Sequence, residues 1–302
     1  MALGAAFVAV VVVLPQVGQV SATIGAIKHA DWRWLPAIVA ASALSYLMAA
    51  IALRGASGAP LRLRRTCVAQ IASAFTNRVL PAGLGGMATN VRYLETEGTT
   101  RPAAIAAVAA NSTAGFLIHL TGILAIVPLL RTNRVRLHLW GPDLPDRWPY
   151  LVVVIVALTS AGLLRWGRRL YQRVEAPVRD AARAFTLALR DPRSASLLLV
   201  GAAGVTFAYV LALTAACHAY GIDLSFPVVL AIYLGGSAIA SVAPTPGGLG
   251  AIEATLVAGL AAAGTHAGPA ISAVLTYRLI TYWLPMIPGV VAYRSLRRSG
   301  AL

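Results

Sequence analysis

Charge is what this chain has least of. Only 12% of its 302 residues are Asp, Glu, Lys or Arg, about half the share usual in a soluble domain. The shortage falls mainly on acids: ten carboxylates stand against 25 Lys and Arg, for a formal charge of +15. That excess is not a nucleic-acid footprint, because the arginines lie scattered between apolar runs instead of gathering on one face. Nucleic acid is therefore excluded as a partner. Cysteine is nearly missing. Cys67 and Cys217 sit far apart in apolar segments, with no disulfide framework and no zinc spacing. A Walker sequence, a nucleophile elbow and a His/Cys/carboxylate cluster at metal-ligand spacing are also lacking. Gly83-Leu84-Gly85-Gly86-Met87-Ala88 fits G-x-G-x-x-A, but without the preceding strand and soluble βαβ unit a dinucleotide site requires. No cofactor is implied, and the chain reads as something other than an enzyme.

What is present is hydrocarbon. Hydrophobic residues make up 58% of the chain and the mean hydropathy is +0.75. An all-α polytopic membrane protein is the fold class this composition demands, because helices satisfy every backbone group within the span. Full-length spans of about 20 residues are expected at Ala2–Val20, Trp34–Leu53, Pro102–Leu130, Pro149–Leu164, Ser196–Tyr220 and Pro269–Tyr293. The first lacks the basic flank of a signal peptide and is read as a retained span. Asp31 and Thr100 are N-cap candidates and Pro102 suits a first helical turn. Trp32, Trp34, Trp148 and Tyr150 fit the aromatic belt.

Two stretches are too short and too broken to be ordinary spans. Cys67–Leu80 and Leu84–Leu94 are joined by Pro81-Ala82-Gly83; Phe226–Ala243 and Leu249–Gly264 are joined by Pro244-Thr245-Pro246-Gly247-Gly248. Pro and Gly end helices there, and irregular backbone at membrane depth is tolerated only against protein or a wet cavity. Both are read as re-entrant helical hairpins, the second alternatively as two thin spans.

Loop charge orients the chain. Arg54, Arg62, Arg64 and Arg65 crowd one loop, Arg165 to Arg193 another, and Arg294, Arg297 and Arg298 the end. Placing these in the cytoplasm makes the spans alternate, with both termini cytoplasmic in a prokaryotic plasma membrane. The chain then forms a single membrane domain of two halves, residues 1–133 and 148–302, each reading span, span, hairpin, span. An odd number of full spans in the first half inverts the second. Pro81-Ala82-Gly83-Leu84-Gly85 matches Pro246-Gly247-Gly248-Leu249-Gly250 at equivalent points. Inverted repeats with paired, Pro/Gly-broken segments point to a transport site near the midplane.

Ala243-Pro244-Thr245-Pro246-Gly247-Gly248-Leu249-Gly250-Ala251-Ile252-Glu253 resembles the signature of the lysylphosphatidylglycerol synthase transmembrane family. That family includes the flippase half of the multiple peptide resistance factor. Asn77-Arg78-Val79-Leu80-Pro81-Ala82-Gly83-Leu84-Gly85-Gly86 resembles its first motif. Members often carry an acid just after that motif, where this chain has Gly86, and the soluble aminoacyl-transferring domain of the bifunctional members has no counterpart here. The resemblance implies lipid translocation or handling without the synthase reaction. Its expected cargo is an anionic phospholipid or lipid-linked phosphate; a membrane-embedded lipid-modifying enzyme and an accessory subunit of an envelope-lipid complex are the rivals. Homo-oligomerisation and a synthase partner stay open.

The expected lipid-binding set is Arg78, Pro81, Gly83, Gly85, Thr245, Pro246, Gly247, Gly248, Gly250, Glu253 and Arg278. A helix starting near Leu249 presents unpaired N–H groups and a partial positive charge, which suits a phosphate, although the glycines could equally serve tight helix packing. Glu253 is the sole carboxylate between Leu224 and Tyr277 and needs a partner, a proton or a wet cavity. Arg278 is the expected partner, as a structural clamp or as part of a headgroup or proton site. Arg78 could clamp a phosphate with its fork of donors or snorkel to the interface. His119 and Asn111 read as interhelical hydrogen-bonding residues, Ser241 as a cap or path residue, Tyr277 and Tyr282 as packing residues, and His266 as needing no special role.

Overall fold

The computed structural model describes residues 30–79, 84–132, 183, 186, 188–241 and 248–300, and these are helical throughout their regular elements. A single 3₁₀ turn, Trp32–Trp34, leads into α1, Leu35–Ser57. Next come α2, Leu63–Val79, and α3, Leu84–Thr96, then α4, Arg101–Thr132, and α5, Pro192–Ala219. The second half continues with α6, Phe226–Ser241, α7, Ala251–Ala262, α8, Ala267–Arg278, and α9, Met286–Arg298. Among the described residues, four stretches are long and apolar enough to cross a membrane: Trp32–Ser57, Arg101–Ile126, Pro192–Ala219 and Ala267–Arg298. They coincide with four of the expected spans; Ala2–Val20 and Pro149–Leu164 lie outside the described residues. The chain is a multi-pass membrane protein.

Small residues set the centre of the bundle. Helices α1 and α5 run antiparallel in intimate contact. A Cβ on Gly55 would strike the backbone of Ser194 and Leu198, and one on Gly201 the backbone of Ala52. Such closeness is how helices associate in lipid, where tails are as apolar as side chains and only packing distinguishes partners. Their ends are capped. Gly58, at φ +61°, donates its N–H to the Arg54 carbonyl and stops α1. Asp191 opens α5, taking hydrogen bonds from Ser194 Oγ at 2.7 Å, Ser194 N at 3.0 Å and Arg193 N at 3.4 Å. The Ser194 hydroxyl bond, followed by the backbone bond from Ser194, holds this carboxyl below its ordinary range. Asp31 caps the first turn as expected, accepting from Arg33 N at 3.1 Å.

Helices α2 and α3 form an antiparallel hairpin. With 17 and 13 residues, its arms are about 25 and 20 Å long at 1.5 Å per residue, short of a bilayer core of about 30 Å. A polar seam joins them. Thr66 Oγ1 meets Tyr93 Oη at 3.1 Å, Gln70 Nε2 donates to Asn90 Oδ1 at 3.0 Å, and Thr76 meets Thr89 through their hydroxyls at 2.8 Å. Gly85 closes the seam, since any Cβ there would overlap the Thr76 carbonyl. Helices α6 and α7, of 16 and 12 residues, make the second antiparallel pair. Thr255 Oγ1 donates to the Gly236 carbonyl at 3.0 Å, and Gly259 packs on Ile232.

The last span is not the uninterrupted helix expected from Pro269 to Tyr293. Between α8 and α9 the chain makes a π turn, Leu279–Trp283. Leu284 N–H reaches back to Leu279 O at 2.7 Å, so it no longer serves Ile280. Pro285 has no N–H to give Thr281. Two carbonyls are thereby released inside the bundle, and buried carbonyls need partners. Ser42 Oγ takes Ile280 O at 3.3 Å and Arg78 Nη2 takes Thr281 O at 3.0 Å.

Candidate functional site

Arg78 stands in the last turn of α2, where the carbonyl end of the helix favours a cation. Its Nη2 bridges two other elements, donating to Thr281 O after α8 and to Tyr46 Oη of α1 at 3.3 Å. Its guanidinium carbon lies 4.7 Å from the centroid of the buried Tyr282 ring. Arg278 lies over the same ring at 4.2 Å. Two cations on one aromatic ring gain from its quadrupole but repel each other, and a counter-charge sits beside them. Arg278 Nε donates to Glu253 Oε1 at 2.6 Å, with side chains 11% and 9% exposed.

The second oxygen of Glu253 is also used. Gly250 N–H donates to Oε2 at 2.7 Å, which is half of a capping box; a glycine has no side chain to return the other half. Gly248 and Gly250 hold φ of +69° and +81°, conformations closed to most L-residues. The N-terminus of α7 thus receives its anion from within the chain. A phosphate arriving there would meet a carboxylate already bound to an arginine. Arg78 is differently placed: its Nη1 is buried and meets no acceptor among the described residues.

Next to Tyr46, which accepts from Arg78, opens a cleft of about 280 Å³ between α1, α2, α3 and α5. Its polar lining comes from Ser45, Tyr46, Gln70, Ser73, Asn77, Asn90 and Tyr209. Residues 66, 70, 73 and 77 share one stripe of α2 at helical spacing. Ser73 Oγ donates to Gly86 O at 3.1 Å and Asn77 Oδ1 accepts from Gly86 N at 3.4 Å, so the same stripe caps the start of α3.

The structure therefore brings Arg78, Glu253 and Arg278 together around Tyr282. Gly85 serves the α2–α3 contact, and Gly248 and Gly250 shape the start of α7. Pro81, Gly83, Thr245, Pro246 and Gly247 lie outside the described residues. His119 Nε2 lies 3.0 Å from Leu234 O and 3.2 Å from Ser237 Oγ, joining α4 to α6. Tyr282 does more than pack, since both arginines lie on it. The cleft residues were not singled out from the sequence, although the 66-70-73-77 polar stripe in an apolar hairpin was the signal available.

Comparison with known proteins agrees with this architecture. The model of the family described as the lysylphosphatidylglycerol synthase TM region matches residues 1–289. A UPF0104 membrane protein of Methanothermobacter thermautotrophicus is 26% identical over 132 residues, 42% of this chain and 39% of the relative. That match spans well under two thirds of the relative's length.

Proposed function

The chain belongs to the lysylphosphatidylglycerol synthase transmembrane-region family, and from that premise we propose that it translocates a lipid with an anionic phosphate headgroup between leaflets. The headgroup passes between the two broken hairpins, which enter the bilayer from opposite faces. The antiparallel α1–α5 pair and the two short antiparallel pairs, α2–α3 and α6–α7, support the inverted-repeat reading. The protein acts without covalent chemistry on the lipid, as a multi-pass protein of a prokaryotic plasma membrane with both termini in the cytoplasm.

One observation carries this reading: a guanidinium held at the meeting point of α1, α2 and the π turn, with one buried nitrogen that meets no acceptor among the described residues. A buried donor without an acceptor is costly, and a phosphate oxygen removes that cost through a charge-assisted bond. Arg278 and Glu253 neutralise each other nearby, so the phosphate is drawn to Arg78 and not to α7. Pairing Glu253 internally also keeps that end of the path from trapping the headgroup.

The test is a leaflet-exchange assay on the purified chain in vesicles containing acyl-labelled phosphatidylglycerol, with a membrane-impermeant quencher added outside. Wild type is expected to expose inner-leaflet label with the lipid chemically intact. Arg78→Gln is expected to slow this by about 10- to 100-fold, the worth of one charge-assisted hydrogen bond. Chemically altered lipid, or equal rates with the variant correctly folded, overturns the proposal.

A further inference from the structure

We propose that the cleft selects a phosphodiester lipid whose headgroup is a neutral polyol or monosaccharide, and discriminates against headgroups bearing an ammonium or a free phosphate. This inference rests on the translocation reading and names the class of its cargo.

The first argument is charge. Around Tyr282, two guanidiniums and one carboxylate sum to a single positive charge. A phosphodiester brings one negative charge and balances it, whereas a phosphomonoester brings nearly two near neutral pH. The lining residues include no carboxylate, so an ammonium-bearing headgroup finds no counter-charge among the described residues of the cleft and would sit near Arg78 as a like charge.

The second argument is the lining itself. Amides and hydroxyls both donate and accept, the pattern that vicinal hydroxyls require. Gln70 Nε2 and Asn90 Oδ1 bind each other at 3.0 Å. That bond fixes both amides and leaves Gln70 Oε1 and Asn90 Nδ2, one acceptor and one donor, with no other partner among the described residues. Both residues are only 8% exposed, and neither remaining amide atom is fully buried, so both are reachable from the cleft. Tyr46 and Tyr209 add ring surface and hydroxyls on the opposite wall.

The third argument is space. At about 280 Å³ the cleft falls just below the range of pockets for drug-sized ligands, which admits one headgroup and leaves the acyl chains in lipid. Gly86 makes part of that room: a Cβ there would come within 3.0 Å of Ser73 Oγ and 3.3 Å of the Asn77 amide.

The purified full chain in detergent is offered dioleoyl phosphatidylinositol, phosphatidylglycerol, phosphatidylethanolamine and phosphatidate in equal amounts, and retained lipid is counted by native mass spectrometry. Phosphatidylinositol and phosphatidylglycerol are expected to be retained about tenfold over the other two, a ratio one or two extra hydrogen bonds can supply. Gln70→Leu and Asn90→Leu should lower that ratio several-fold, leaving only the part set by charge, while lipid still binds through Arg78. Should the leucine variants not fold, Tyr209→Phe removes a single hydroxyl from the cleft wall and should lower the ratio a few-fold. Equal retention by wild type, or preference for the amine or the monoester, overturns the inference. A retained preference with no leaflet exchange of any lipid would instead defeat the translocation reading alone. Exchange of all four lipids at one rate, with equal retention, would defeat the headgroup inference alone.

Discussion

Glu253 carries a charge in a region where charge is expensive, and the structure accounts for each of its oxygens: one on Arg278 and one on Gly250 N–H. Removing one member of a nearly buried pair leaves the other uncompensated. Glu253→Gln is therefore expected to lower stability by about 3 kcal/mol, read as a fall in melting temperature in detergent. The double variant Glu253→Gln, Arg278→Met should recover part of that loss, because no unpaired cation remains. A double variant as unstable as the sum of the singles would show that the two residues do not act on each other. Asp191 is a contrasting carboxylate. Its folded form is held below the ordinary range by the Ser194 bonds, so its contribution is fully present above about pH 4 and disappears as pH falls through the lowered value. Thermal scans of wild type and Asp191→Ala should differ at neutral pH and converge in acid.

At the scale of elements, the π turn decides what Arg78 touches. Pro285 frees Thr281 O, and Arg78 takes it. Pro285→Ala would restore an N–H to the helix interior, where proline is unfavourable by about 3 kcal/mol. It is expected not to lower the melting temperature, yet to slow lipid exchange by loosening Arg78; a variant that exchanges lipid at the wild-type rate would detach the turn from function. Gly201→Val tests the other joint. Its side chain would enter the Ala52 backbone, and overpacking of this kind costs about 1 to 3 kcal/mol, measurable as a lower melting temperature.

This is also the scale at which the sequence was most and least informative. The four long helices and both short pairs could be read from run length and from Pro and Gly, because those signals are local. Glu253–Arg278 could be expected because a lone buried carboxylate demands a cation. The break in the last span was missed although Pro285 and Pro288 stand within it. Its consequence depends on Arg78, 203 residues away, and local pattern does not reveal which distant donor will take a freed carbonyl. The cleft was missed for a similar reason: its walls come from four helices, and only the α2 stripe is visible in one stretch of chain.

At the scale of the whole molecule, the proposed path has the two short helix pairs entering from opposite faces, with Arg78 and Glu253 between them within reach of both leaflets. Cysteine accessibility tests this directly. With Cys67 and Cys217 replaced by alanine, single cysteines are placed at the exposed positions Arg62, Thr100, Asp223 and His266 and treated with a membrane-impermeant maleimide in intact cells. Cysteines at 223 and 266 are expected to react from outside, and those at 62 and 100 only after the membrane is permeabilised. Reaction of all four from one face would place both hairpins on the same side and contradict the inverted arrangement on which the proposed translocation path rests.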